Sequence, residues 1–167
     1  MGAAARRLFI NPYGDRYPDD DSTKEILIQA DGLVTPEPGV DRHVLLRWTN
    51  GIDESGRRYI QIIQLTGGPG NYNFYTLQVE GHPEGSMKNN TFYNLGQYTR
   101  VQRDQIITLA KAVNFDRKSR VNNCMTWMRD LLVAMVGAEL LSEDKLNEID
   151  ADVPLRKRVP ETSGTAT

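Results

Sequence analysis

Residues 121–136 read Val121-Asn122-Asn123-Cys124-Met125-Thr126-Trp127-Met128-Arg129-Asp130-Leu131-Leu132-Val133-Ala134-Met135-Val136. They hold the only cysteine in a chain of 167 residues. Two asparagines precede it, and an Asn side chain accepts a hydrogen bond from the unpaired amides that open a helix. The pattern predicts a helix beginning at Cys124. With about 100° between successive residues, Met128, Leu131, Leu132 and Met135 share one face, with Met125, Trp127 and Val136 at its edges. Cys124 falls within that arc, while Arg129, Asp130 and Val133 point away. The thiol is thus aimed at the core side of the helix, at the end where free amides and the helix dipole favour negative charge.

Most free cysteines are small buried hydrophobes. Two features set Cys124 apart: its first-turn position, and a histidine at the start of an upstream strand that can serve as a base. That strand is His43-Val44-Leu45-Leu46-Arg47-Trp48-Thr49. A second run, Arg58-Tyr59-Ile60-Gln61-Ile62-Ile63-Gln64-Leu65, follows after residues 50–57, whose glycines and short polar residues suit a hairpin loop. If Thr49 faces Arg58 at the loop end, His43 lies across from Gln64. A neutral imidazole base needs a third group to hold its ring and tautomer, and an amide oxygen on the adjacent strand can do so. Gln64 is that group in this register, and Gln61 replaces it if the register slips.

The remaining chain frames these two segments. Length suits one domain with a single core, at residues 23–153, flanked by a flexible arm at 1–22 and a disordered tail at 154–167. The arm carries the turn formers Asn11-Pro12-Tyr13-Gly14 and Tyr17-Pro18-Asp19, and the tail is small, polar and basic. Lys24 to Ala30 reads as a strand, Thr35-Pro36-Glu37-Pro38-Gly39 as an extended loop, Thr66 to Tyr72 as a turn, and Phe74 to Glu80 and Thr91 to Gly96 as further strands. Thr99-Arg100-Val101-Gln102 has the form of a capping box, and Ser142-Glu143-Asp144 opens a last short helix. The fold class is α+β, an antiparallel sheet packed against helices.

Charge and composition exclude several functions. Lys+Arg 20 against Asp+Glu 22 leaves a net charge of −2, so no basic field recruits nucleic acid. One cysteine and two histidines, His43 and His82, do not furnish a cysteine-based zinc cluster, and no metal or other cofactor is expected. The glycines of residues 67–70 lack both the dinucleotide fingerprint and the Lys-Ser/Thr of a phosphate loop. No apolar run approaches the length of a membrane span and the first residues lack a signal-peptide core, so the chain reads as soluble and cytoplasmic. His82, in Gly81-His82-Pro83, reads as a solvated turn residue.

The order of a strand bearing His43, a hairpin, further strands, a helix, then Asn123-Cys124-Met125-Thr126-Trp127-Met128-Arg129 resembles a fungal family with a His-strand and an Asn-Cys-x-x-Trp-x-Arg motif. It is similar in turn to the circularly permuted papain-like cysteine enzymes, the group of lecithin–retinol acyltransferase, NlpC and the PPPDE-type peptidases. The resemblance covers roughly Asp41 to Ile149. It implies a permuted papain-like core and a thiol-dependent hydrolase or acyltransferase, with Cys124 as nucleophile, His43 as base and Gln64 as the orienting group. This chain departs from many relatives in carrying Val44 after the histidine and Gln64 in the third position.

In chemical terms, His43 takes the thiol proton of Cys124 and the sulfur attacks the acyl carbon of a small-molecule or peptide substrate. A first-turn amide binds the oxyanion, and water or another acceptor resolves the thioester. Trp48, Tyr72, Tyr93 and Trp127 are the candidate substrate-binding residues, although aromatics at strand and helix positions more often belong to the core. Two rival readings stand beside this one. One is a catalytically inactive binding or scaffold domain of the same fold. The other is a lyase or cyclase using His43, His82 and carboxylates.

Overall fold

The chain runs α1 (Pro12–Arg16), β1 (Lys24–Asp31), β2 (Val44–Ile52), β3 (Arg58–Ile63), β4 (Leu65–Gly68), β5 (Asn71–Phe74), β6 (Val79–His82), β7 (Asn90–Tyr98), α2 (Arg100–Ala112), α3 (Cys124–Gly137) and α4 (Glu143–Asp152). The computed structural model describes residues 12–32, 42–75, 78–83, 85, 88–153 and 155–161. The expected loop at residues 35–39 lies outside them. Five strands form an antiparallel sheet in the order β6-β3-β2-β1-β7, and β4 and β5 form a separate hairpin. The fold is α+β, as the pattern of runs and caps predicts.

Alternation along the strands sorts the sheet into two faces. Ile26, Ile28 and Ala30 of β1, Val44, Leu46 and Trp48 of β2, and Ile63 of β3 face the helices and join the main core. Leu45, Ile60 and Ile62 form a small cluster of their own. Helix α3 supplies the matching surface: Met128, Leu131, Leu132 and Met135 are completely buried, whereas Val133 on the opposite side is exposed. Each fully buried leucine there contributes about 2 kcal/mol. The apolar stripe read from the sequence therefore sets the rotation of α3, and with it the direction of Cys124. Among the described residues, no helix is long and apolar enough to cross a membrane.

The β2–β3 register differs from the expected one. Thr49 pairs with Ile60, not Arg58, because both strands continue to Ile52 and Arg58 and a bulge intervenes between Thr49 and Gly51. The loop is correspondingly tight, closed by Asp53 N–H to Arg57 O at 3.0 Å and by Asp53 Oδ1 accepting from Ser55 N–H at 2.8 Å. The bulge has a packing partner. Tyr17 stacks on Tyr59 with ring centroids 3.7 Å apart, and a Cβ on Gly51 would lie 2.8 Å from Tyr17 Cδ1. The run expected as one strand at Phe74 to Glu80 is divided between the end of β5 and the start of β6, with residues 76 and 77 outside the described set.

Both flanking segments also differ from expectation where they are described. Residues 12–22 are not a free arm: Asp19 accepts from Arg103 Nε at 2.9 Å and from Lys24 Nζ at 2.8 Å, which ties the segment to α2 and β1. Residues 155–161 are not a free tail: Leu155 is buried, Arg158 Nε donates to Asp130 Oδ2 of α3 at 2.7 Å, and Val159 pairs through its backbone with Asn122. Composition marks both stretches as polar and turn-rich, but their polar groups are spent on partners far away in sequence. Residues 1–11, 154 and 162–167 lie outside the described set.

Candidate active site

Asn123 caps α3. Its Oδ1 accepts from Met125 N–H at 3.0 Å and Thr126 N–H at 3.3 Å, and Thr126 Oγ1 accepts in return from Asn123 N–H at 3.2 Å. This is a capping box with threonine in the place usual for Glu or Gln. The first intrahelical bond runs from Trp127 N–H to Asn123 O at 3.0 Å. Of the first-turn amides, that of Cys124 is the one the cap does not take. It stands beside its own sulfur at the positive end of a 14-residue helix.

His43 reaches the same point from the sheet. It immediately precedes β2, and its carbonyl accepts from Asp31 N–H at 3.0 Å, which fixes its backbone against β1. Gln64 occupies the break between β3 and β4. Its Oε1 lies 2.5 Å from His43 Nε2, so Nε2 carries the proton of that bond. The Cys124 side chain is the largest cause raising the imidazole pKa to about 9. Burial opposes the shift, whereas the Gln64 bond and the charge of Asp31 add to it. Gln64 is 8% exposed, while His43 and Cys124 are half-buried. Cys124 packs against the main core as a partly buried residue. Imidazole and amide are hydrogen-bonded to each other, and thiol, imidazole and amide are drawn from α3, the start of β2 and the β3–β4 break.

The side chains of the other residues singled out in the sequence are engaged in the sheet or the core. Gln61 pairs across the ladder with Trp48, and its Nε2 donates to the carbonyls of Ile62 and Gln78 at 3.3 Å each. It is a sheet residue, not the partner of His43. His82 closes β6, with Nε2 3.3 Å from Glu80 Oε2. Trp48, Tyr72, Tyr93 and Trp127 all belong to the main core, and none is more than 9% exposed. Their rings serve as packing, with Phe74 tilted against Trp127 at 5.1 Å between centroids.

Sequence reading missed Asp31 and Thr126. No spacing marks Asp31 as a neighbour of His43. Thr126 could have been found, because a hydroxyl three residues after an Asn cap can close the box. Compared with protein-family models, with curated proteins and with solved structures, the chain matches none of them.

Proposed function

We propose that this chain is a thiol-dependent hydrolase or acyltransferase on the plan of the circularly permuted papain-like enzymes, acting on an ester or amide of a small molecule or peptide. The observation that carries the reading is that His43 is bonded to the Gln64 amide oxygen and feels the Cys124 side chain more strongly than any other group. Nucleophile, base and orienting group are the three parts that activated-cysteine chemistry requires.

His43 accepts the thiol proton, and the sulfur attacks the acyl carbon. The Cys124 amide, left open by the cap, donates to the oxyanion. Collapse of the tetrahedral adduct forms the thioester and breaks the bond to the leaving group, which takes its proton from the His43 imidazolium. In the second half His43 deprotonates water or an acceptor alcohol or amine, whose attack releases the acyl group and restores the thiol. A lone thiol that must stay reduced suits a reducing, cytoplasmic compartment.

The test uses p-nitrophenyl acetate as acyl donor. Mass spectrometry is expected to find one acetyl group on the peptide bearing Cys124, labile to hydroxylamine, and none in Cys124→Ala. Acetylation that is absent from the wild type, or unaffected by His43→Ala, would leave a binding domain in place of an enzyme. Release of label to water or to an added amine separates hydrolysis from transfer.

A further inference from the structure

Asn122 stands two residues before the cysteine, yet its side chain takes no part in the helix cap. It is 5% exposed, and its whole hydrogen-bonding capacity is directed at the C-terminal segment. Nδ2 donates to Val159 O at 2.7 Å and to Glu161 Oε1 at 2.8 Å, and Oδ1 accepts from Val159 N–H at 3.0 Å. The second carboxylate oxygen of Glu161 accepts from Ser119 Oγ–H at 2.7 Å. Ser119, itself 2% exposed, accepts at Oγ from Asn122 N–H at 3.0 Å. These bonds close a ring around the turn 119–122, which leads directly into Asn123 and Cys124. On its other side the same loop is fastened to the β4–β5 hairpin, through Gly70 N–H to Ser119 O at 2.9 Å and Tyr72 N–H to Arg117 O at 2.7 Å.

Apolar burial holds the segment at Leu155 but not at residues 159–160, since Val159 is 47% exposed and Pro160 is exposed. The attachment is polar, and its bonds converge on the turn that launches the cysteine. We infer that Asn122 and Glu161 are positioning residues: they clamp residues 159–161 to the 119–122 turn and so hold Cys124 in line with His43. The inference rests on the proposed thiol chemistry. Its physical basis is that a reacting group displaced by about 1 Å can lose up to about 100-fold in rate, and the side of the turn away from the β4–β5 hairpin is held by the bonds to residues 159–161.

The experiment reads how far Cys124 reactivity depends on His43, as the ratio of iodoacetamide alkylation rates with and without His43→Ala at pH 7, in the full chain. That ratio is measured in the wild-type, Glu161→Ala and Asn122→Asp backgrounds and in the double variant Asn122→Asp/Glu161→Gln. Melting curves identify the variants that remain folded. The ratio is expected to fall about tenfold or more in Glu161→Ala and Asn122→Asp. It should recover in part in the double variant, where an amide at position 161 donates to a carboxylate at position 122, while the bond to Val159 O stays lost. If Asn122→Asp does not fold, Glu161→Ala alone decides. A wild-type ratio near one overturns the thiol chemistry and the clamp together. A large wild-type ratio left unchanged by Glu161→Ala overturns the clamp alone.

Discussion

His43 and Gln64 meet at 2.5 Å between Nε2 and Oε1, although they are not opposite each other in the sheet. Leu46 pairs with Ile63, so continuing that ladder sets Gln64 one diagonal step from His43, a distance long side chains span. The bond therefore depends on the length of the glutamine, and Gln64→Ala removes the group that fixes the ring through Nε2. A hydrogen bond to a charged group contributes about 1.5–3 kcal/mol. The expected result is an acylation rate lowered about ten- to a hundredfold, with Gln64→Asn equally poor because it is one methylene short. Single-turnover acetylation of Cys124 measures this.

The raised pKa of His43 gives the site a defined pH window. Its imidazolium persists up to about 9 where an ordinary histidine loses its proton near 6.5, so between those values a positive charge stands beside the sulfur. Above about pH 9 the charge is gone. Alkylation of the wild type is expected to exceed that of His43→Ala throughout the lower range, and the two should converge above about pH 9. Proton NMR of the ring should show the midpoint well above 6.5. Cys124→Ala should lower that midpoint more than Gln64→Ala, because Cys124 is the largest cause of the shift.

Local signals were legible in the sequence and long-range ones were not. The caps at Thr99, Asn123 and Ser142 were readable because each is set by residues within three positions. The stripe of α3 was readable because helical period alone dictates it. The approach of His43 to Gln64 was anticipated from a register two positions off the real one. It survived because a shift of two keeps every side chain on its own face. The bulge at Thr49 to Gly51 escaped notice because it has no signal within the hairpin, and the ring lying against Gly51 is that of Tyr17, from outside it. Docking of 12–22 and 155–161 escaped for a similar reason, since Asp19 finds Arg103 and Asn122 finds Val159 across 84 and 37 residues.

Arg103 is a fully buried cation whose guanidinium grips Asp19 at 2.9 and 3.0 Å and donates to the carbonyls of Tyr98 and Asp20 at 2.7 and 2.8 Å. Removing one partner of a buried pair costs about 3–5 kcal/mol. Urea unfolding of Arg103→Met is expected to show a loss of that order, and Asp19→Asn/Arg103→Met a loss smaller than the two single changes added. Burial pushes the Asp19 carboxyl up, but the bonds from Arg103 and Lys24 outweigh it, and the net shift is down from 3.8. The resulting stabilisation is present above 3.8 and disappears as the pH falls through the lowered folded value. Acid unfolding of Asp19→Asn should lack that component.

Helix α3 ends with a residue that its geometry does not favour. Glu139 has φ 60°, with its N–H on Val136 O and Leu140 N–H on Met135 O, both characteristic of a Schellman ending. Glycine fits that left-handed position without a Cβ penalty. The Glu139 side chain is exposed, so little packing is lost with it. Glu139→Gly is expected to stabilise the protein by about 0.5–1 kcal/mol, seen as a higher urea midpoint with an unchanged slope. A lower midpoint would show that the left-handed geometry is not what limits this helix end.

Gly67 offers a perturbation that reaches the site without touching it. Its φ is +98°, and an added Cβ would lie 2.0 Å from the backbone oxygen of Asn71, so an alanine there cannot coexist with the β4–β5 hairpin as it stands. The strain alone costs about 1–3 kcal/mol. Relief requires the hairpin to open, and two structural links carry that opening to the chemistry. β4 begins at Leu65, the residue after Gln64, and the far arm of the hairpin is bonded through Gly70 and Tyr72 to the loop that leads into Cys124. Both the orienting amide and the thiol should then lose their fixed places. Gly67→Ala is expected to lower the urea midpoint and, in the variant that remains folded, to reduce the His43-dependent alkylation of Cys124. Gly68→Ala is the control: no heavy atom lies within 4 Å of a Cβ there, so it should alter neither. If Gly67→Ala loses stability yet keeps the full dependence on His43, the hairpin is a structural element only and does not align Cys124.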